Sequence, residues 1–449
     1  MESHKSFGNL TFLILSLEGP DRYSHAGGLG SRVDGLSKAL SRMGFDTHLF
    51  FIGDPDLPGY EVTNDGTMHL HRWCQWISRY HPAGVYDGEE AKLNDWNSSL
   101  PYWMFSNIIS ELTSSGSEVV VMAEEWQTSR SVALLHDLLI KNHLREHVRI
   151  LWNANNIFGF NRIDWGVLAE AAVLTTVSRY MKHAMWNYGV NARVIPNGIS
   201  AAWFAPSAAK CKEQLTSLFS DRAALIKVAR WDPDKRWNMA VDAVAELKRL
   251  GLRPLFLARG GVEDHGYEVT TRAEQNGLDI AHVQWNGLGT KALIQAIRPA
   301  IKADVIILES YLSEEQRRAL FYACDAVLAN SGIEPFGLVG LETMAVGGIA
   351  CVGSTGEEYA TNGYDAISLQ TNDPREIVHH LKLLKSSPSF AKKIRSNAKN
   401  SAKRYTWEAI IERILLPYLV EMNVDVPLSK LAESKLKQLA QPLADKDSP

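Results

Sequence analysis

Ile333-Glu334-Pro335-Phe336-Gly337-Leu338-Val339-Gly340-Leu341-Glu342 is the stretch from which the fold of this chain can be read. Two carboxylates stand eight positions apart, with a proline and a glycine between them and an apolar run after them. Proline disfavours helix at the residue before it, so Glu334 belongs in an extended loop. Gly337 lets the backbone pass close to a ligand. From Leu338 the run LVGLETMAVGG predicts a short helix that Gly347-Gly348 can end. A helix start carries unpaired N–H groups and a positive dipole end, which favour an anion, most often phosphate. One carboxylate in the approach loop and one in the second turn would reach two sets of hydroxyls around that phosphate. The pattern predicts a nucleotide-sugar site. Its bland alternative is two solvated glutamates at a loop–helix junction.

The totals fit such a protein. A chain of 449 residues suggests two domains of ordinary size, with three as the alternative, and 45% hydrophobic with 22% charged residues lets each bury a core. A formal charge of -4 gives no reason to expect nucleic-acid binding. Cys74, Cys211, Cys324 and Cys351 lie far apart without CxxC or Cys/His spacing, which suits a reducing compartment without disulfides or structural zinc. The first apolar run, Leu10 to Leu17, is too short to span a bilayer and lacks a basic flank. It reads as a buried strand, and the expected location is the cytoplasm.

Upstream, LTFLILSLEG, the turn His25-Ala26-Gly27-Gly28-Leu29-Gly30-Ser31, the amphipathic VDGLSKALSRMGF and the strand THLFFIG make a βαβ unit. A dinucleotide fingerprint would need a third glycine where Val33 stands, although Asp54 near the second strand end keeps that reading open. The other reading turns the loop amides of Gly28 and Gly30 to a donor phosphate or an acceptor sugar. Residues 60–110 are rich in Trp, His and Tyr, which suits sugar stacking but fits cover over a core better. Their histidines show no paired ligand spacing, so no metal is assigned. SEVVVMAEEW is the next buried strand, carrying Glu124 at its end, and RILWNANNIFGF continues the pattern.

In the second half, AALIKVARWDPDKRW is a strand followed by a proline turn flanked by Arg230 and Lys235. Asp232-Pro-Asp234 and Asp54-Pro-Asp56 imitate a metal-binding DxD, a weak match against two βαβ halves. RPLFLARGG, DVIILES and SEEQRRALFYACDAVLANS supply strand, strand, and helix with strand, and Gly356 follows near the site. Between His379 and Tyr405 stand eight Lys and Arg and no acid. That is the solvated face of a helix first, and a peripheral membrane patch only as the weaker alternative. TWEAIIERILLPYL is strongly amphipathic, and LAQPLADKDSP closes the chain as a polar tail.

These motifs together resemble the retaining glycosyltransferases of family 4, the superfamily of glycogen synthases and sucrose-phosphate synthases. The Glu334-to-Glu342 stretch resembles its Glu-x7-Glu signature, and Val194-Ile195-Pro196-Asn197-Gly198-Ile199 its interdomain hexapeptide. The resemblance covers most of residues 8–420 and is weakest between 60 and 115. It departs from the family where His25 and Ser31 replace Lys and Asp around Gly28, where Glu124 replaces a histidine that contacts the reacting sugar, and where Asn155 stands where histidine is common.

The resemblance implies an α/β GT-B fold, two facing Rossmann-like domains with parallel sheets and an interdomain cleft. Residues 1–200 would form the acceptor-side domain and 201–405 the nucleotide-sugar domain. The segment 406–449 would be a helix returning to the first domain, then the tail. It implies hexosyl transfer from a nucleoside-diphosphate-sugar to a sugar, glycan or small-molecule hydroxyl, without cofactor or metal. Arg230 and Lys235 would clamp the diphosphate with the amides of Gly337 and Leu338. Glu342 would take the ribose, and Glu334 the sugar hydroxyls. Gly28, Gly30, Asn197 and Phe336 would complete the donor site, and Glu124 would act on sugar hydroxyls or steer a proton. The alternatives are a glycogen-type glucan synthase, a nucleotide-sugar epimerase, and a degenerate transferase that only binds.

Overall fold

The computed structural model describes residues 10–205 and 209–424. The chain folds as two compact units, one from Met1–Gly198 with Thr406–Pro449 and one from Ile199–Tyr405. The polar tail expected at the C-terminus, 439–449, lies outside the described residues. No helix among the described residues is long and apolar enough to cross a membrane.

In the first unit the strands are β1 (Leu10–Leu15), β2 (Asp46–Ile52), β3 (Tyr60–Thr63), β4 (Met68–Trp73), β5 (Glu118–Glu124), β6 (Val148–Ala154), β7 (Val173–Thr176) and β8 (Arg193–Val194). They form one sheet in the order β3-β4-β2-β1-β5-β6-β7-β8, parallel throughout except for the β3–β4 pair. β1 is buried at every position, as an unbroken apolar run in a parallel sheet covered on both faces must be. Helix α1 (Gly28–Arg42) turns Leu29, Val33, Leu36 and Leu40 inward.

The helix from Trp407 to Glu421 belongs to this unit and contains a π turn at Ile411–Leu415. Its Trp407 ring is buried between two glycines. A Cβ on Gly35 would lie 2.2 Å from the indole and one on Gly198 2.6 Å, so a side chain at either position would displace the ring. Arg42 pairs with Glu408 at 2.8 Å and Arg193 with Glu421 at 2.8 Å. The aromatic-rich segment divides in the structure. Trp96 is fully buried, and Trp103 packs edge-on to Phe50, His71 and Trp73, while Trp76, Tyr80 and Tyr102 are exposed.

The second unit holds β9 (Ala223–Val228), β10 (Pro254–Arg259), β11 (Ile280–Val283), β12 (Val305–Leu308), β13 (Ala326–Ala329), β14 (Ala350–Val352) and β15 (Ile367–Ser368). The order is β11-β12-β10-β9-β13-β14-β15, all parallel. From β9 the chain builds first toward β10 and then back to β13 on the other side. The strand order therefore reverses between β9 and β13, where ligands bind in open α/β sheets. Helix α2 (Leu338–Ala345) begins after Gly337 at φ +73° and ends before Gly347 at φ +75°, both left-handed values that favour glycine.

The basic stretch is two helices, Pro374–Ser386 and Pro388–Ala402, rather than one. Part of its charge is internal: Arg395 donates to the carbonyls of Tyr322, Gly347 and Cys324, and Lys385 to that of Arg222.

Candidate active site

The loops after β9, β13 and β14 meet at the reversal point. After β9, Pro233–Lys235 makes a 3-10 turn that Asp232 caps by accepting the Asp234 N–H at 2.9 Å. After β13, Gly332 N–H donates to the Asp234 carbonyl at 2.7 Å, and Ile333 N–H to its carboxylate at 3.2 Å. Of the two aspartates that imitate a DxD, Asp232 thus caps its own turn and Asp234 braces the two loops against each other. After β14, Thr355 accepts the Glu334 N–H at 2.8 Å, and Gly356 N–H donates to the Glu334 carbonyl at 2.8 Å. A Cβ on Gly356 would stand 2.1 Å from the Pro335 carbonyl oxygen, so this close approach needs glycine.

These braces bring Lys235 Nζ to 2.8 Å from Glu334 Oε2, both side chains about one-fifth exposed. Beside them α2 starts at a glycine N-cap with no side-chain cap, where the first N–H groups of a helix have no intrahelical partner. Phe336 is buried against Tyr359 and Tyr405, and the Tyr359 hydroxyl donates to the Gly337 carbonyl. The Phe336 side chain is therefore a wedge behind the loop and leaves only its backbone to a ligand. Arg230 is exposed, its carbonyl accepting the Trp237 indole N–H at 2.7 Å.

Two buried groups under this surface have displaced pKa values. Burial, reinforced by Glu334, pushes the Glu357 carboxyl up to about 8. Both its oxygens lack a hydrogen-bond partner, although the amides of Gly353 and Thr355 lean toward it. Burial, with Lys235 and Arg236 nearby, lowers Lys227 to about 7. Its ammonium donates to Leu328 O at 3.1 Å and Asn330 Oδ1 at 2.7 Å.

Glu342 does not join Lys235. It is buried on α2 and pairs with Arg317 Nη1 at 3.1 Å, burial raising its pKa and Arg317 opposing the rise. Any ribose contact by Glu342 would be shared with Arg317, a residue the sequence reading passed over.

The first unit corrects three expectations. The Gly-rich turn does not present all its amides outward: Glu18 accepts the N–H groups of Ala26 at 3.1 Å, Gly27 at 2.9 Å and Gly30 at 2.9 Å, and the Tyr86 hydroxyl at 2.6 Å. A carboxylate of the chain itself thus fills the nest expected for a phosphate, and Gly30 is not free to bind a donor. Gly28 flanks the same nest, and a Cβ added to it would meet nothing within 4 Å. The substituted pair His25 and Ser31 bond each other at 3.2 Å.

Glu124 is likewise sealed in. Arg32 Nε donates to both its oxygens at 3.0 Å, and the side-chain amides of Asn153 and Asn155 each donate to Oε2 at 2.8 Å. With Glu124 0% and Arg32 1% exposed, this is a buried internal ion pair: Arg32, Asn153 and Asn155 all bond Oε2, Arg32 alone bonds Oε1, and Arg32 Nη2 has no hydrogen-bond partner among the described residues. Asn197 is the third: its Oδ1 accepts from Arg32 Nη1 at 2.7 Å, so it closes this network. The neighbouring Glu125 holds φ +68°, unusual for a non-glycine residue, and burial lifts its carboxyl to about 8. Glu18 stands in the loop just after β1, so its place before the glycine turn is the signal available; Arg32 carries none.

Comparison with known proteins agrees with this architecture. Residues 26–203 match the profile for Glycosyltransferase Family 4, and residues 212–401 that for Glycosyl transferases group 1. A D-inositol 3-phosphate glycosyltransferase of Thermobispora bispora is 24% identical over 232 residues, 50% of this chain, so the match spans about half (49%) of that curated relative's length. Among solved structures, the sucrose-phosphate synthase of Thermosynechococcus elongatus superposes with a TM-score of 0.65 at 16% identity, covering 92% of this chain and 99% of that one. The catalytic domain of starch synthase IV from Arabidopsis thaliana, bound to ADP and acarbose, gives 0.60 at 15% identity, covering 96% and 98%. At such identities the likeness speaks for the fold.

Proposed function

The chain belongs to the glycosyltransferases of the GT-B type, and on that premise we propose that it moves a sugar from a nucleoside-diphosphate-sugar to an acceptor hydroxyl, retaining the anomeric configuration. The observation that carries the reading is Lys235 held 2.8 Å from Glu334 before the uncapped start of α2, at the reversal of strand order. A departing diphosphate gains negative charge in the transition state, and charges already fixed in place stabilise it without reorganisation. Lys235 and Arg230 supply two cations, and the amides of Gly337 and Leu338 at the start of α2 supply the dipole. Glu334 then has two tasks, to hold Lys235 in position and to accept hydroxyls of the transferred sugar. Glu342, oriented by Arg317, takes the ribose. In this reading side-chain cations do the work that a divalent ion does in metal-dependent transferases, and no metal enters the step. The ADP of the starch synthase neighbour supports a nucleoside diphosphate as the donor's leaving half.

A second reading rests on Glu124. Because that carboxylate is buried and engaged by Arg32, Asn153 and Asn155, the side chain at the position of the family histidine serves as an internal counter-ion, which suits a protein that binds a nucleotide-sugar without turning it over. One screen separates the two. UDP-, ADP- and GDP-sugars are ranked by thermal shift, since a ligand of the folded state raises apparent stability. The best donor is then followed for hydrolysis and transfer. Stabilisation with slow release of nucleoside diphosphate is the outcome expected for a transferase. Stabilisation with no release over days favours the silent binder, and no stabilisation by any donor defeats both.

A further inference from the structure

A second constellation lies in the first unit, where the parallel pairing of β2 and β4 sets His48 opposite His69 and Phe50 opposite His71. Side chains two apart share a face of a strand, so Asp46 and His48 project together. The His48 and His69 rings stack with centroids 4.2 Å apart and planes 7° from parallel. Across their outer ends lies the Asp46 carboxylate, one oxygen 3.0 Å from His69 Nε2 and the other 3.4 Å from His48 Nε2. Ligand atoms about 2.0–2.1 Å from one tetrahedral ion stand roughly 3.3 Å apart, so these separations already suit a common ion.

The far side of each ring is also engaged. His48 Nδ1 is 2.9 Å from His71 Nε2, and His69 Nδ1 is 2.6 Å from the Tyr60 hydroxyl. A proton on each Nδ1, donated to those partners, leaves both Nε2 lone pairs facing the space beside Asp46. Outer partners hold metal-bound histidines in this way. The His48 and His69 side chains are 11% and 17% exposed and that of Asp46 is 41% exposed, so water can complete the coordination from one side. Among the described residues this is the one group of three His, Cys, Asp or Glu side chains with ligand spacing.

We propose that Asp46, His48 and His69 bind one divalent transition-metal ion, zinc being the first to try. Two imidazoles and one carboxylate suit that class, whereas magnesium and calcium prefer oxygen ligands alone. Asp46 opens β2 at its N-terminal end, while Glu124 closes β5 at the C-terminal end where the polar network lies. The ion therefore clips β2 to β4 and takes no part in sugar transfer.

Tag-free full-length protein, stripped with a chelator and dialysed, is titrated with Zn²⁺ by calorimetry and against a chromophoric chelator. The expected result is one ion per chain. Asp46→Asn and His69→Gln should each weaken it by more than 100-fold, and Tyr60→Phe, which removes an outer partner, by roughly 10–100-fold. Lys235→Ala should bind zinc as the parent does, with circular dichroism confirming that each variant is folded. Should His69→Gln fail to fold, Asp46→Asn and Tyr60→Phe decide, since neither residue is buried. Absence of saturable binding, or a single site indifferent to those substitutions, overturns the assignment.

Discussion

Glu124→Gln keeps nearly the same volume but removes the charge that balances Arg32 and turns an amide NH₂ toward the Asn153 and Asn155 donors. Both members of the pair are out of solvent, so Arg32 is left as an uncompensated internal cation. Breaking a buried pair by removing one partner costs about 3–5 kcal/mol. For a unit of this size each kcal/mol lowers the melting midpoint by about 2–4 °C, so a fall of roughly 6–20 °C is expected by scanning calorimetry. The companion Arg32→Met/Glu124→Leu removes both charges and should recover much of that fall, because no unpaired charge remains. Turnover, measured well below the lowered midpoint, should change less than stability does. The reasoning is refuted if Glu124→Gln melts within about 2 °C of the parent while transfer is abolished, for then the carboxylate works on substrate.

Lys235→Ala should lower turnover by roughly 10²–10³ with the fold intact, the usual cost of losing one fixed electrostatic donor; a rate near the parent's would take Lys235 out of the site. Glu357 gives a pH signature: its carboxyl, raised by burial to about 8 from a usual 4.5, stabilises the fold in its neutral form, fully below about 4.5 and decreasingly as pH rises through 8. Glu357→Gln should therefore gain on the parent by up to about 1.4 kcal/mol per pH unit between 5 and 8, and parallel melting curves across that range would dismiss the buried acid. Chelation should leave turnover at 25 °C unchanged while lowering the melting midpoint through loss of the proposed β2–β4 ion. Activity that vanishes and returns with Mn²⁺ would place a metal in the reaction.

Much of the scaffold was legible because it rests on short-range physics. Unbroken apolar runs such as LTFLIL and VVVMA mark strands buried on both faces, and Gly337 and Gly347 bracket α2 through their left-handed backbone. The hairpin β3–β4 was missed because its alternating His, Leu and Trp looked like aromatic cover. The basic stretch was read as one helix because a single charged face hides the break at Ser387-Pro388. The proposed metal constellation leaves no mark in the sequence for a like reason: spacing along the chain shows only local neighbours, whereas His48 and His69 meet across two strands.

The sequence by itself determined the central buried strands and the loop–helix junction at Gly337, since each depends on residues a few positions apart. Only the tertiary structure decided which charged groups remain free for chemistry. Glu124 meets Arg32 across 92 positions, Arg32 meets Asn197 across 165, and Lys235 meets Glu334 across 99. A carboxylate is a ligand, a base or an internal counter-ion according to the neighbours that folding supplies, and no local pattern records them.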